Sequence, residues 1–288
     1  MKGYKLFMDV SGDVMPDIAK GEVQLLPMEF EIGNDEYVYT DGNDGMDPVE
    51  FYKFVKQGVP MKTSQITPSL FENYFEETLK EGYSALYLCL SSGLSSTYES
   101  ACHAAECLKQ RYPEVDLVPV DSLTATVGMG LLCERMIKNK KEGLSVWQNR
   151  DDLLSARSRL TTTGVVDDLN TLKRGGRISS AVAVIGGLLN FKPIVLVQED
   201  GTLKMSATAR GTKKALKHLF DLYCETHDEN VDEMYVMHAD EQENASALCD
   251  MLKAKFPQLN VRMRLLSPII GAHLGKGLVG VGFYKKTV

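Results

Sequence analysis

The stretch Leu88-Cys89-Leu90-Ser91-Ser92-Gly93-Leu94-Ser95-Ser96-Thr97-Tyr98 constrains this chain more than any other, because an apolar run stops there at a cluster of hydroxyls and one glycine. Residues Ser84 to Leu90 read as a buried strand, and Ala101, Ala105 and Leu108 then recur on one stripe of a following helix. The junction is therefore strand, small polar loop, helix start. Ser95 and Ser96 are N-cap residues by type, and the first helical turn presents unpaired amides at the positive end of the helix dipole. Such a place suits an anion, whether phosphate or carboxylate. Taken alone, the stretch is better explained by capping; other segments shift that balance.

Strands alternating with helices need apolar material on both sheet faces, and 44% hydrophobic residues in a chain of 288 supply it for one large or two modest domains. A net charge of −7 leaves no broad basic stripe to neutralise a phosphate backbone, which argues against nucleic acid as partner. The cysteines at 89, 102, 107, 133, 224 and 249 form no CxxC pair and no zinc-site spacing, so they are expected to be reduced, buried and inert, with no metal bound. Met1 to Asp9 enters directly into a strand without the apolar segment of a signal peptide, and no run approaches membrane-spanning length. A cytoplasmic protein is the expectation.

Leu6 to Val10 reads as the first strand, ending in the acidic turn Asp9-Val10-Ser11-Gly12-Asp13. Ligands gather at the carboxyl ends of strands in open α/β sheets, although these acids also suit a cap on a helix at Met15 to Ala19. Val23 to Glu31 reads as a second strand, with a hairpin through Gly33-Asn34-Asp35, and Pro48 to Gln57 as a short helix. Lys62-Thr63-Ser64-Gln65-Ile66-Thr67-Pro68-Ser69 is a second hydroxyl cluster. Thr67 followed by Pro68 starts a helix that runs to about Lys80 with Leu70, Phe71, Tyr74, Phe75 and Leu79 on one face. Two hydroxyl loops, each leading into a helix, suggest a convergent site. Val115 to Val120 is another strand, in which Pro119 suggests an edge position or an early stop to pairing, and Thr126 to Lys138 and Leu144 to Leu160 are helical by pattern. This alternation favours a largely parallel sheet flanked by helices over residues 1–160, with a second α/β domain over 161–288. No Gly-x-Gly-x-x-Gly follows any of these strands, so a dinucleotide site has no support.

In the second half, Thr161 to Val166 reads as a strand followed by Asp167-Asp168-Leu169 and by Leu172-Lys173-Arg174-Gly175-Gly176-Arg177-Ile178. Arg174 and Arg177 around two glycines can clamp a phosphate or carboxylate, and the same residues fit a helix C-cap at Gly175 with surface arginines. Ala181 to Leu189 is apolar nearly all round, as in a buried helix or the lining of a cavity. Pro193 to Gln198 and Leu203 to Ala209 form a hairpin, Arg210 stands before a helix from Thr212 to Cys224, and Met234 to His238, Glu241 to Phe256 and Val261 to Leu266 continue the α/β pattern. His238 reads as a core-edge residue, and His218 and His227 as surface. Gly271-Ala272-His273-Leu274-Gly275-Lys276-Gly277-Leu278-Val279-Gly280-Val281-Gly282-Phe283 places an imidazole among glycines, where backbone can approach a ligand and the ring can donate to an anion.

Thr63-Ser64-Gln65, the Leu90 to Ser95 loop, Asp121-Ser122, Asp167-Asp168-Leu169, the Leu172 to Ile178 segment, Lys192-Pro193 and the His273 loop occur in an order that resembles the DegV family, bacterial fatty-acid-binding proteins that serve as carrier subunits of fatty-acid kinases. The resemblance covers essentially the whole chain. It implies two α/β domains with a long-chain fatty acid such as palmitate between them and no other cofactor. It further implies a carboxylate held by Thr63, by Ser92, Gly93 and Ser95 of the serine loop, and by His273, with Arg210 near it and Arg174 or Arg177 toward phosphate or partner. A separate kinase subunit would phosphorylate that carboxylate, so the chain itself would be no enzyme; peripheral membrane contact is compatible with such a carrier. Two departures stand out: the family's Asp-Ser-x-x-Asp opening reads Asp9-Val10-Ser11-Gly12-Asp13, and its Gly-Pro-Gly after the histidine reads Gly275-Lys276-Gly277.

Burial is worth roughly 0.8 kcal/mol per methylene, so an acyl chain of about fourteen offers ~11 kcal/mol before ordering and association costs. The tail would supply affinity and the polar loops orientation. Some of the 13 methionines suit an irregular tunnel, while most belong to ordinary core. The competing expectation is a hydrolase or small-polyol phosphotransferase using the Ser91 to Ser96 loop with His273. It lacks both the Gly-x-Ser-x-Gly elbow and the Walker-type phosphate loop.

Overall fold

A computed structural model of the chain describes residues 2–40, 46–167, 169–178 and 190–287. The first half runs β1 (Tyr4–Asp9), α1 (Pro16–Ala19), β2 (Val23–Leu26), β3 (Met28–Ile32), β4 (Asp35–Tyr39), α2 (Pro48–Lys56), β5 (Met61–Thr63), α3 (Pro68–Lys80), β6 (Ser84–Cys89), α4 (Thr97–Arg111), β7 (Leu117–Asp121), α5 (Thr126–Lys141) and α6 (Val146–Arg157). The second runs β8 (Leu160–Val165), α7 (Asn170–Arg174), β9 (Phe191–Val197), β10 (Leu203–Arg210), α8 (Thr212–Thr226), β11 (Glu233–His238), α9 (Gln242–Lys255), β12 (Asn260–Leu265), α10 (Pro268–Leu274) and β13 (Val279–Tyr284). Helix starts follow their caps. Asp47 accepts from the Val49 N–H and Thr67 from the Leu70 N–H, each with proline in the first helical turn. The apolar segment 181–189, together with Asp168 and Ser179, lies outside the described residues.

The parallel sheet expected for the first half is present, in the order β2-β1-β6-β7. Every residue of β6 is buried, as a central strand covered on both faces requires, and β7 with Pro119 lies at the edge. The single strand expected over Val23 to Glu31 is two. Pro27 has no N–H to give a ladder, and the chain changes sheet there: β2 joins the parallel sheet, while β3 becomes the centre of an antiparallel sheet ordered β4-β3-β5. The third sheet runs β10-β9-β8-β13-β11-β12 and is antiparallel except between β11 and β12.

β13 corrects the reading of the late glycines. It fills the centre of its sheet, and a Cβ on Gly282 would stand 2.9 Å from Val127 Cγ2 of α5. The room those glycines leave is occupied by a helix packed on the sheet. α5 therefore serves both main sheets, touching β1 on one side and β8, β11 and β13 on the other. One apolar cluster runs through it, from Phe7 and Leu86 by way of Met129 to Tyr235 and Leu278. A second lies behind the six-stranded sheet, under α8 and α9, with Leu219, Val236 and Leu248.

Two smaller expectations change. All six cysteines are free thiols, but only Cys89, Cys133 and Cys249 are buried, and Cys107 is exposed. His227 is half-buried, stacked on Tyr223 with its Nδ1 2.8 Å from the Tyr223 carbonyl oxygen; His238 is buried as expected.

Candidate ligand-binding site

The serine loop after β6 is held by buried aspartates from the strands on either side. Asp9, at the end of β1, is wholly buried; its carboxylate accepts from the Leu90 N–H at 2.9 Å, the Tyr87 hydroxyl at 2.9 Å, the Ser11 N–H at 3.2 Å and the Ser11 hydroxyl. Burial pushes this carboxyl's pKa up, while the surrounding donors pull it back. Asp121, at the end of β7, accepts from the Ser92 N–H at 3.1 Å, the Ser92 hydroxyl at 2.6 Å and the Leu123 N–H at 3.0 Å. Both acids thus fix the loop's backbone, a role the sequence flagged only as acids following strands. Ser92 spends its hydroxyl on Asp121. Ser95 accepts from the Thr97 N–H at 3.3 Å and lies 2.9 Å from the Thr97 hydroxyl, so it does cap α4; Ser96, the N-cap residue, makes no side-chain cap bond.

The second hydroxyl cluster meets the late histidine. β5 pairs with β3 and ends at Thr63, whose Oγ1 is 2.7 Å from His273 Nε2. His273 is not in a glycine loop: Ser267-Pro268 starts α10, and the imidazole sits on its last turn. Burial first, and then the Arg177 charge, lower its pKa from 6.5 to about 4, so the ring is neutral at pH 7. Arg177 arrives through a helix stop. After α7 the chain closes with Gly176 N–H to Lys173 C=O and Arg177 N–H to Leu172 C=O, Gly176 taking φ +70. Gly175 is the C-cap, as one of the two readings had it; Arg174 stays exposed, and the cap brings Arg177 to the cavity lining. Its Nε donates to the Leu94 carbonyl at 3.2 Å, and a second donor goes to the Gly175 carbonyl.

These groups line one end of a cavity of about 580 Å³. Thr63, Ser92, Ser95, Arg177 and His273 face it, and Leu90 and Leu94 continue its rim. The six-stranded sheet supplies the other wall with Val195, Val197, Leu203 and Met237, and α10 closes it with Ile269 and Ile270. Ligand pockets span roughly 300–1,000 Å³ and pair an apolar lining with a few convergent polar groups. This cavity has that composition.

Three expected residues lie elsewhere. Gly93 does not line the cavity; it backs onto the β9–β10 turn, where a Cβ would stand 2.6 Å from the Gly201 carbonyl carbon, and Ser91 donates to the Gly201 carbonyl at 2.8 Å. Arg210 is exposed at the end of edge strand β10, away from the cavity lining. Arg174 is exposed and lines a neighbouring cavity. The apolar wall went unread because its residues come from three strands whose spacing reveals burial, not which face meets a hollow. Among the described residues no group of three His, Cys, Asp or Glu side chains could hold a metal. No described helix is long and apolar enough to cross a membrane.

An α/β fold with a cavity lined by apolar side chains and a few convergent polar groups is what geometry defines here, and comparison with known proteins gives it a family. The sequence model of the DegV family, described as uncharacterised proteins, matches residues 4–286. A DegV domain-containing protein from Clostridium perfringens is 35% identical over 289 residues, covering 100% of this chain and 99% of that one. The chain belongs to the DegV family. Among solved structures, a fatty-acid-binding DegV family protein from Thermus thermophilus is similar with TM-score 0.84 at 27% identity, over 99% of this chain and 100% of that one. The Streptococcus pneumoniae fatty acid kinase B3 protein loaded with linoleic acid shares the fold, with TM-score 0.84 at 19% identity over 99% of this chain and 100% of that one.

Proposed function

We propose that this protein is a non-enzymatic, cytoplasmic carrier that binds a long-chain fatty acid in the 580 Å³ cavity and presents its carboxylate to a kinase partner. The lobes would divide at 160/161, one residue into β8. The observation that carries the reading is the polarity of the cavity: Thr63, His273 and Arg177 converge in its lining, while the six-stranded sheet offers Val195, Val197, Leu203 and Met237 beside Thr162 and Thr163, whose hydroxyls are engaged with the Thr124 hydroxyl and the Val195 carbonyl. With its proton on Nε2, His273 donates to Thr63 Oγ1 and leaves the threonine proton free for a carboxylate oxygen. Arg177 supplies the charge that a neutral imidazole lacks. Ser95 adds a hydroxyl at the rim, and Ser92, through Asp121, holds the loop in place.

Fatty-acid binding by the Thermus relative and the kinase association of the pneumococcal protein support this reading. The hydrolase alternative finds no nucleophile: among the described residues no serine of the 91–96 loop hydrogen-bonds His273, whose partner is Thr63. Mass spectrometry of solvent extracts from the purified protein tests the proposal. Stoichiometric long-chain fatty acid is expected; no lipid, together with no palmitate binding by calorimetry after delipidation, refutes it.

A further inference from the structure

The wall of the cavity carries hydroxyls, and one of them is poorly matched. Thr126, Thr162 and Thr163 line it beside Val195, Met237 and Leu278. Thr162 and Thr163 are bonded within the protein, to the Thr124 hydroxyl at 2.9 Å and the Val195 carbonyl at 2.7 Å. Thr126 is different: it is 3% exposed, and its Oγ1 donates to Met237 Sδ at 3.2 Å, its only hydrogen-bond partner among the described residues. A thioether is a weak acceptor, and the lone pairs of the threonine oxygen stay unused. The backbone of Thr126 is held at φ +52, where a β-branched residue is an outlier. Strain of that kind persists only where the surroundings impose it. They do so here, because α5 starts at this residue, and a Cβ on Gly128 would overlap the Thr124 and Thr162 hydroxyls, so the helix start is pressed against β8.

A plain acyl tail needs no such group, but a tail bearing an oxygen does. An alcohol buried against Val195 and Met237 without a partner would cost about tenfold or more in affinity. Thr126 can accept the proton of that alcohol without giving up the sulfur, or turn its own proton to the ligand oxygen. We propose that Thr126 is a second polar contact of the cavity, and that it admits long-chain fatty acids carrying a hydroxyl on the tail, away from the carboxylate. The inference rests on the fatty-acid reading above and deepens it by naming the class of acyl chain. Thr126 is bonded to the wall through Met237, whereas the groups that meet the carboxylate, Thr63 and His273, come from β5 and α10. Met237 makes the site permissive: under an unsubstituted tail the Thr126 proton falls back on the sulfur, so a plain chain leaves no orphaned donor.

Calorimetry on the delipidated full chain with stearate and its 2-, 10-, 12- and 18-hydroxy derivatives tests it. At least one of the 10-, 12- and 18-hydroxy acids is expected to bind as tightly as stearate or up to about tenfold tighter. Two substitutions should move that ratio in opposite directions. Thr126→Val keeps the shape and branching but removes the hydroxyl, so the favoured hydroxy acid should lose about tenfold against stearate. Met237→Leu removes the sulfur and leaves the Thr126 proton unpartnered under a plain tail, so the same acid should gain about fivefold against stearate. A wall that merely has room for an oxygen would not respond in opposite senses. All three tail-hydroxylated acids binding the native chain more weakly than stearate, or a ratio that either variant leaves in place, overturns the proposal. A preference for 2-hydroxystearate alone overturns it too, since that hydroxyl sits beside the carboxylate. Stearate failing to bind the native chain sinks the fatty-acid reading, whereas stearate bound with every tail hydroxyl disfavoured sinks this inference alone.

Discussion

The two ends of the inner cavity are built on opposite principles. At the mouth, polar side chains are bonded to one another before any ligand arrives: Thr63 to His273, Ser92 to Asp121, Arg177 to the Leu94 carbonyl. At the wall, Val195, Val197, Leu203 and Met237 offer contact without direction. A mouth of this kind adds little net affinity, because each bond to a ligand replaces one to water, yet it fixes where a head group sits. The wall does the reverse, since apolar area removed from water stabilises any tail that fits. Affinity and orientation are therefore separable in this protein, and substitutions at the two ends should fail in different ways.

The largest effect is expected at the wall. Leu203→Glu, on edge strand β10, puts a carboxylate against the tail, so palmitate binding should fall about thousandfold or more while the fold, read by circular dichroism, persists. Retention of binding would place the tail somewhere else. Next comes the pH response of the mouth. Because the folded imidazole of His273 titrates near 4 and the unfolded one near 6.5, the unfolded chain takes up a proton that the native state refuses between those values. Stability is thus full above pH 6.5 and declines as pH falls toward 4, by up to about 3 kcal/mol. Denaturation of the ligand-free protein across that window should show the slope, and His273→Asn should remove it. Bound palmitate should flatten it too, since a carboxylate beside the ring favours the imidazolium. Parallel decline of native and variant proteins would assign the slope to another group.

How much of this was legible follows from the range of each signal. Thr67-Pro68 announces α3 within two residues, and the structure starts the helix there. Ser267-Pro268 is the same signal before α10, yet the glycines around His273 drew the reading toward a loop. Pro27 likewise marks where one apparent strand is two. The meeting of Thr63 with His273, 210 residues apart, is different in kind. No local pattern encodes it, and only the resemblance to a family brought the two into one site. Gly93 and Arg210 mark the opposite limit: their residue types suit anion binding, but one is needed for a backbone contact with Gly201 and the other ends an edge strand.

The smallest effect discriminates most finely, because it ranks two hydroxyls at the same mouth. Thr63 is tied to an imidazole that can take the acceptor side of its oxygen and leave the proton for a ligand, whereas Ser95 is occupied with Thr97 at the start of α4. Thr63→Ala should therefore weaken palmitate binding about fivefold, near 1 kcal/mol, and Thr63→Ser should recover most of the loss. Ser95→Ala should cost less in affinity and show instead as a small drop in stability from the lost cap. Calorimetry of the three variants beside their unfolding midpoints separates the outcomes. A larger binding loss for Ser95→Ala than for Thr63→Ala would move the head group from the Thr63–His273 pair to the serine loop. The division between an orienting mouth and an adhesive wall would then have to be redrawn around α4.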